Sequence, residues 1–186
     1  MSVQIVRRSF TIADYYRMAE AGILSEDDRV ELLDGEVIEM SPIGSRHAAC
    51  VDRLNKFLNS ISELGFIVRV QNPIRLDDHS EPQPDITLLR VRSDFYAEAH
   101  PTPADVLIVM EVADSSFELD RQVKLPLYAQ AEVPEVWLVN LPDDSVEFYA
   151  QPVNSVYQGV KVFRRGETVT SQIVPELQIG VDEILG

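Results

Sequence analysis

Cysteine is nearly absent from this chain. Cys50 is the only one in 186 residues, which excludes an internal disulfide framework and a cysteine-ligated zinc site. A reducing, cytoplasmic setting is expected. Long apolar runs are missing too. The longest, VLIVM at 106–110, falls far short of the ~20 residues that a bilayer-spanning helix needs. The first ten residues hold no apolar stretch followed by a small-residue cleavage site, so no signal peptide is expected. No Walker A and no G-x-G-x-x-G motif occurs, which leaves an ATPase or a dinucleotide enzyme without support. No G-x-S-x-G elbow surrounds Ser115 or Ser116, so these read as helix caps rather than nucleophiles. Internal repeats and low-complexity tracts are absent.

Positive charge is also scarce. Sixteen basic residues face 31 acidic ones, for a net charge of −15. This argues against a broad basic footprint for nucleic acid and leaves room for a local one. Lysine is limited to Lys56, Lys124 and Lys161, against thirteen arginines. The clustered cations are two short pairs, Arg7–Arg8 and Arg164–Arg165.

What is present is an ordinary globular composition, 45% hydrophobic and 25% charged. It predicts one domain over residues 1–186 with a real core. Residues 11–22 predict a helix with Thr11 as its N-cap and Gly22 as its stop. Residues 29–40 predict a β-hairpin turning at Asp34-Gly35. Residues 45–65 carry apolar side chains at helical spacing and end on Gly65. Strands follow at 66–70, 85–89 and 105–112. Residues 115–131 predict a helix with a Ser115/Glu118 capping box, kinked or shifted in its start by Pro126. Residues 135–140 and 145–150 predict a second hairpin, and 156–163 a further strand. The C-terminal tail is weakly patterned. This order predicts a mixed β-sheet flanked by helices, α/β or α+β, with additional β-hairpins.

Two acids interrupt the apolar strands. Asp85 opens DITLL, and Glu111 stands near the end of DVLIVMEV. A carboxylate in a buried strand is costly unless it is paired or binds a cation. Two of them converging at a sheet edge make a hard oxygen site suited to Mg²⁺ or Mn²⁺. Such an ion activates water and stabilises charge on a phosphoryl oxygen. A lysine would complete that site. Position 113, on the face of Glu111, is an alanine, and the next candidate is Lys124 in the following helix. Arg121 and Tyr128 are expected on the same helical face as Lys124. Asp114 adds an acid nearby, either a further ligand or a helix N-terminal charge.

The run PD (84–85), MEVADSS (110–116), DRQVKLPLYAQAEVPEVWLVN (120–140), with VELLDGEVIEMSPIGSRHA (30–48) upstream, resembles the Uma2 family of restriction-endonuclease-like proteins, also called DUF820. The resemblance spans roughly residues 10–145. It implies a PD-(D/E)XK nuclease fold, restriction-endonuclease-like, with a Mg²⁺-dependent phosphodiesterase site whose lysine has moved from the strand to the next helix. Asp85 and Glu111 would then be metal ligands and Lys124 the displaced lysine. Glu31 would match the family's upstream acid and His47 its histidine. The chain departs from the pattern at Pro126 and at the turn ADSS after Glu111. Two readings follow. One is a metal-dependent endonuclease acting on DNA, with a twofold homodimer as the default assembly. The other is a non-catalytic protein that keeps the fold as an interaction or accessory module.

Overall fold

The computed structural model describes residues 8–25 and 27–186. Arg7, half of the first basic pair, lies outside the described residues. Helix α1 (Ile12–Glu20) starts at Thr11, whose hydroxyl accepts from the Asp14 amide while the Asp14 carboxylate accepts from Thr11 in return. The predicted N-cap is therefore a complete reciprocal cap. Strands β1 (Val30–Leu33) and β2 (Glu36–Glu39) pair antiparallel, Leu33 opposite Glu36. Asp34 and Gly35 between them have φ of 49° and 75°. Positive φ at both central residues makes this the tight hairpin turn that Asp-Gly favours.

Helix α2 (Ser45–Ser60) stops five residues earlier than the spacing predicts, and a short 3₁₀ turn, Ser62–Leu64, leads to Gly65 in the left-handed region. Strands β3 (Phe66–Val70), β4 (Ile86–Arg90), β5 (Val106–Ala113), β6 (Glu135–Asn140), β7 (Ser145–Val153) and β8 (Val156–Arg164) form one six-stranded sheet in sequence order. Only β5 and β6 are parallel neighbours. The crossover between them holds the helical segment α3 (Phe117–Leu119), a π turn (Asp120–Lys124) and α4 (Leu125–Gln130).

Each face of the sheet has its own core. Ile108, Met110 and Val112 of β5 pack with Trp137, Val139 and, from α2, Leu54 and Leu58. Val109 and Ala113 pack on the opposite side with Val136, Leu138, Tyr128 and Ala129. The alternation is the period-2 geometry of a strand covered on both faces. The tail is more ordered than its pattern predicts. Strands β9 (Thr168–Thr170) and β10 (Gln178–Gly180) pair with each other, and α5 (Val181–Leu185) buries Val181, Ile184 and Leu185 in the α2-side core.

The predicted Ser115/Glu118 box does not form. The N-cap residue is Ser116 and its hydroxyl makes no cap bond; it donates instead to Asp120 at 2.7 Å. Pro126 does not break the helix. The Leu125 amide reaches back five residues to the Asp120 carbonyl, and this wider turn leaves room where a proline ring would press on the preceding turn. Among the described residues, no helix is long and apolar enough to cross a membrane.

Candidate functional site

Because β4 and β5 run antiparallel with Ile86 opposite Met110, the start of β4 meets the end of β5. Asp85 therefore arrives beside Glu111 although 26 residues separate them. The Asp85 amide donates to Glu111 Oε2 at 3.3 Å, and the Val112 amide donates to Asp85 Oδ2 at 2.9 Å. His47, in the first turn of α2, reaches the same Oδ2 with Nε2 at 3.0 Å. Gln71 Nε2 donates to Oδ1 at 3.2 Å. The carboxylate of Asp85 is thus fixed on three sides at the seam between the two faces of the sheet.

Glu111 is 4% exposed on the α4 side. Tyr128 donates to its Oε1 at 2.6 Å, and Lys124 Nζ lies 3.4 Å from the same oxygen. Lys124 is itself buried, with Glu31 Oε1 at 3.0 Å and Asp120 Oδ1 at 3.7 Å. Glu31 Oε2 also accepts from the Gln83 amide at 3.1 Å. All five residues that the sequence singles out therefore lie in one cleft of about 150 Å³. Asp85 and His47 meet at one end, and Glu31, Glu111 and Lys124 form the ion cluster at the other. Glu31, whose position in an alternating strand also suits an exposed hairpin residue, is 1% exposed, because the β1–β2 hairpin folds over the site. Asp114 lies exposed at the cleft mouth.

Asp120 stands four residues ahead of Lys124, a spacing that shares a helical face, and its Oδ1 lies 3.7 Å from Nζ; no motif marks it in the sequence. Arg121, expected there from α-helical spacing, points away. It lies 3.5 Å from Glu147 and over the Phe117 ring. Tyr128 does share the face, as expected. Gln71 and Gln83 had no motif to mark them; each is fixed by the chain turning at the sheet end.

The electrostatics follow from three acids around one lysine. Burial raises the Glu111 carboxyl to about 8 despite the opposing charge of Lys124. Burial likewise raises Asp120 to about 6, again against Lys124. Burial alone would lower Lys124, but Glu111, Glu31 and Asp120 together outweigh it and hold the ammonium above its usual value. Lys124 stays charged, and the acids around it compete for one cation. The hydrogen bond to Asp85 raises His47 against its desolvation, which favours the imidazolium. Its Nδ1 is buried with no partner.

The donor set fits a hard divalent cation in part. Asp85 and Glu111 both line the cleft, joined by the bond from the Asp85 amide to Glu111 Oε2, in a cluster with more negative charge than it balances. Among the described residues, no group of three or more His, Cys, Asp or Glu is arranged as metal ligands. Two carboxylates suffice for Mg²⁺, which dehydrates reluctantly and keeps several waters.

The pair Arg164–Arg165 is already engaged by acids. Arg164 pairs with Asp143, and Arg165 with Asp144 and Asp182.

A search of curated proteins returned no match. Among solved structures, the fold is similar to a protein from Anabaena variabilis described as "a putative nuclease belonging to DUF820". The TM-score is 0.72 at 14% identity, over 95% of this chain and 97% of that one. At that identity the likeness speaks for the fold alone. The model of the Uma2 family, described as "Putative restriction endonuclease", matches residues 12–182. With nearly its whole length matched, the chain belongs to the Uma2 family.

Proposed function

We propose that this chain is a divalent-metal-dependent endonuclease that hydrolyses DNA phosphodiester bonds in the cleft between the start of α2 and the π turn. The observation that carries this reading is the meeting of Asp85 and Glu111 at the β4–β5 joint, with Lys124 3.4 Å from Glu111. Family membership supports the same chemistry. Asp85 and Glu111 are the residues that would hold Mg²⁺ or Mn²⁺. Bound there, the ion would supply an activated water and stabilise charge on a phosphoryl oxygen.

The chain's own residues do the rest. Lys124 places a fixed positive charge beside the acids, where it can balance charge developing on a phosphate. Glu31 and Asp120 hold the ammonium in position from two sides. His47 and Gln71 keep Asp85 from rotating, and Tyr128 does the same for Glu111. A side chain locked by several partners needs little reorganisation when charge develops. A twofold homodimer belongs to this reading; β8, at the open edge of the sheet with Val156, Val160 and Val162 half exposed, offers a surface for it.

Calorimetric titration of Mn²⁺ and Mg²⁺ into the wild type and Asp85→Ala tests the proposal, followed by cleavage of plasmid DNA. Saturable binding lost in Asp85→Ala, with cleavage lost in parallel, is the expected result. No binding and no cleavage by the wild type, with DNA present, would leave the interaction-module reading in its place.

A further inference from the structure

A polyanion entering this cleft meets an acidic wall. Glu31, Asp85, Glu111, Asp114 and Asp120 all line it. The cluster lysine offers no relief at the entrance. Lys124 is 4% exposed and lies within 4 Å of three carboxylates. A phosphate backbone therefore needs another cation at the rim, one not already neutralised.

Arg29 meets that requirement. It lines the cleft, it is exposed, and among the described residues no carboxylate lies within 4 Å of it. Among the described residues its side chain makes one hydrogen bond, from Nη1 to the Ser41 carbonyl at 3.2 Å. Most of the five guanidinium donors are left free, in the fork geometry that grips phosphate oxygens. Its backbone is anchored, because the Met40 amide donates to the Arg29 carbonyl at 2.8 Å as the β1–β2 pairing extends by one step. Arg29 and Glu31 are two residues apart in extended chain, so their side chains leave on one face, roughly 7 Å apart along the strand. Glu31 touches Lys124. Arg29 thus stands one step outward from the charged cluster on the same wall. Most other described cations are committed elsewhere. Arg17, Arg46, Arg75, Arg92, Arg121, Arg164 and Arg165 are ion-paired, and Arg53 binds the carbonyls of α5.

We infer that Arg29 is the phosphate-gripping residue at the cleft mouth, the contact that seats a nucleic-acid backbone against the acidic site. The inference rests on the proposed nuclease reading and names how that site tolerates its polyanionic substrate. It contributes to binding and register and carries no sequence information.

The test is fluorescence anisotropy of a labelled 20-base-pair DNA duplex with Ca²⁺ present, measured from 50 to 200 mM salt. The proteins are wild type, Arg29→Ala, Arg29→Lys and Arg17→Ala, the last a remote exposed arginine. Losing one phosphate contact should weaken binding by roughly tenfold for Arg29→Ala and reduce the salt slope by about one. Arg29→Lys should keep the slope and lose part of the affinity. Arg17→Ala should match the wild type. Calorimetric Mn²⁺ binding should be the same in Arg29→Ala as in the wild type, which separates a rim contact from a disturbed site. Unchanged affinity and slope in Arg29→Ala, with the wild type binding DNA, overturns this inference alone. No DNA binding by the wild type overturns it together with the nuclease reading.

Discussion

The two faces of β5 are the same strand in two opposed environments. Ile108, Met110 and Val112 enter an apolar core with Leu54, Trp137 and Val139. Glu111, between Met110 and Val112, enters a cluster with Lys124, Glu31, Asp120 and Tyr128. Both sides are equally dry, since Met110 is 0% and Glu111 4% exposed. The apolar face gains stability from burial and has no chemistry to perform. The charged face forgoes that gain, and its carboxylates are held ready at a free-energy cost. On the proposed function, stability and activity are thus separated by a single step along one strand, and substitutions on either side should separate them too.

The largest effect is expected from Lys124→Met. It leaves Glu31, Glu111 and Asp120 buried around no cation, and breaking a buried pair from one side costs about 3–5 kcal/mol. Urea denaturation of the metal-free protein measures this. Adding Glu111→Gln removes one of the stranded charges, so the double variant should be more stable than the sum of the two single changes predicts. Additive losses would mean that the two side chains do not interact.

On the other face, Leu54→Ala should cost about 2–5 kcal/mol by opening a cavity beneath the sheet. Its Mn²⁺ affinity should equal that of the wild type at a temperature where both are folded. A parallel loss of ion binding would show that the two faces are not independent.

Much of this division is legible in the residues, and its limits have physical causes. Asp34-Gly35 identified its hairpin because turn chemistry is local, and VLIVM identified a doubly covered strand because buried runs are continuous. Asp85, Glu111, Lys124, Glu31 and His47 were found from an interrupted pattern and from resemblance, and all five share one cleft. The true direction of Arg121 was not legible, because helical spacing assumes an α-helix and the chain makes a π turn at 120–124; Asp120 sits at ordinary i,i+4 spacing from Lys124, but no motif marks it. The closing elements β9, β10 and α5 escaped for another reason. Strands of three residues and a helix of five are too short to show a period.

A smaller effect concerns pH. Folding raises Glu111 from 4.5 to about 8 and Asp120 from 3.8 to about 6, burial being the leading cause in each. Both bind protons more tightly when folded. Their contribution to stability is complete below the unfolded values near 4, and it is lost as pH rises through about 6 and then about 8. Without divalent ions, Tm should therefore fall by roughly 5 °C between pH 5 and pH 8. Saturating Mn²⁺ should restore it at pH 8, because an ion that binds only the folded chain stabilises it by mass action. The same scan on Glu111→Gln should be flatter. A wild-type Tm that rises over this range would contradict the charge imbalance assigned to the cluster.

The smallest change is Tyr128→Phe, and it probes the contact between the two environments most finely. The ring of Tyr128 packs in the apolar cluster with Val109, Ala113 and Leu138, while its hydroxyl donates to Glu111 Oε1 at 2.6 Å. Phenylalanine preserves the packing and removes only the donor. Glu111 keeps Lys124 and the Asp85 amide as partners, so no carboxylate oxygen is left without compensation. The loss should be about 1.5–3 kcal/mol, the range for a hydrogen bond to a charged group. The hydroxyl donates to the ionised form of Glu111, so its removal should raise the Glu111 carboxyl further and weaken Mn²⁺ binding near neutral pH. At higher pH, where Glu111 is ionised in either protein, the difference in affinity should shrink. Equal loss at every pH would instead make the hydroxyl a steric guide for the Glu111 side chain, with its hydrogen bond incidental to the charge.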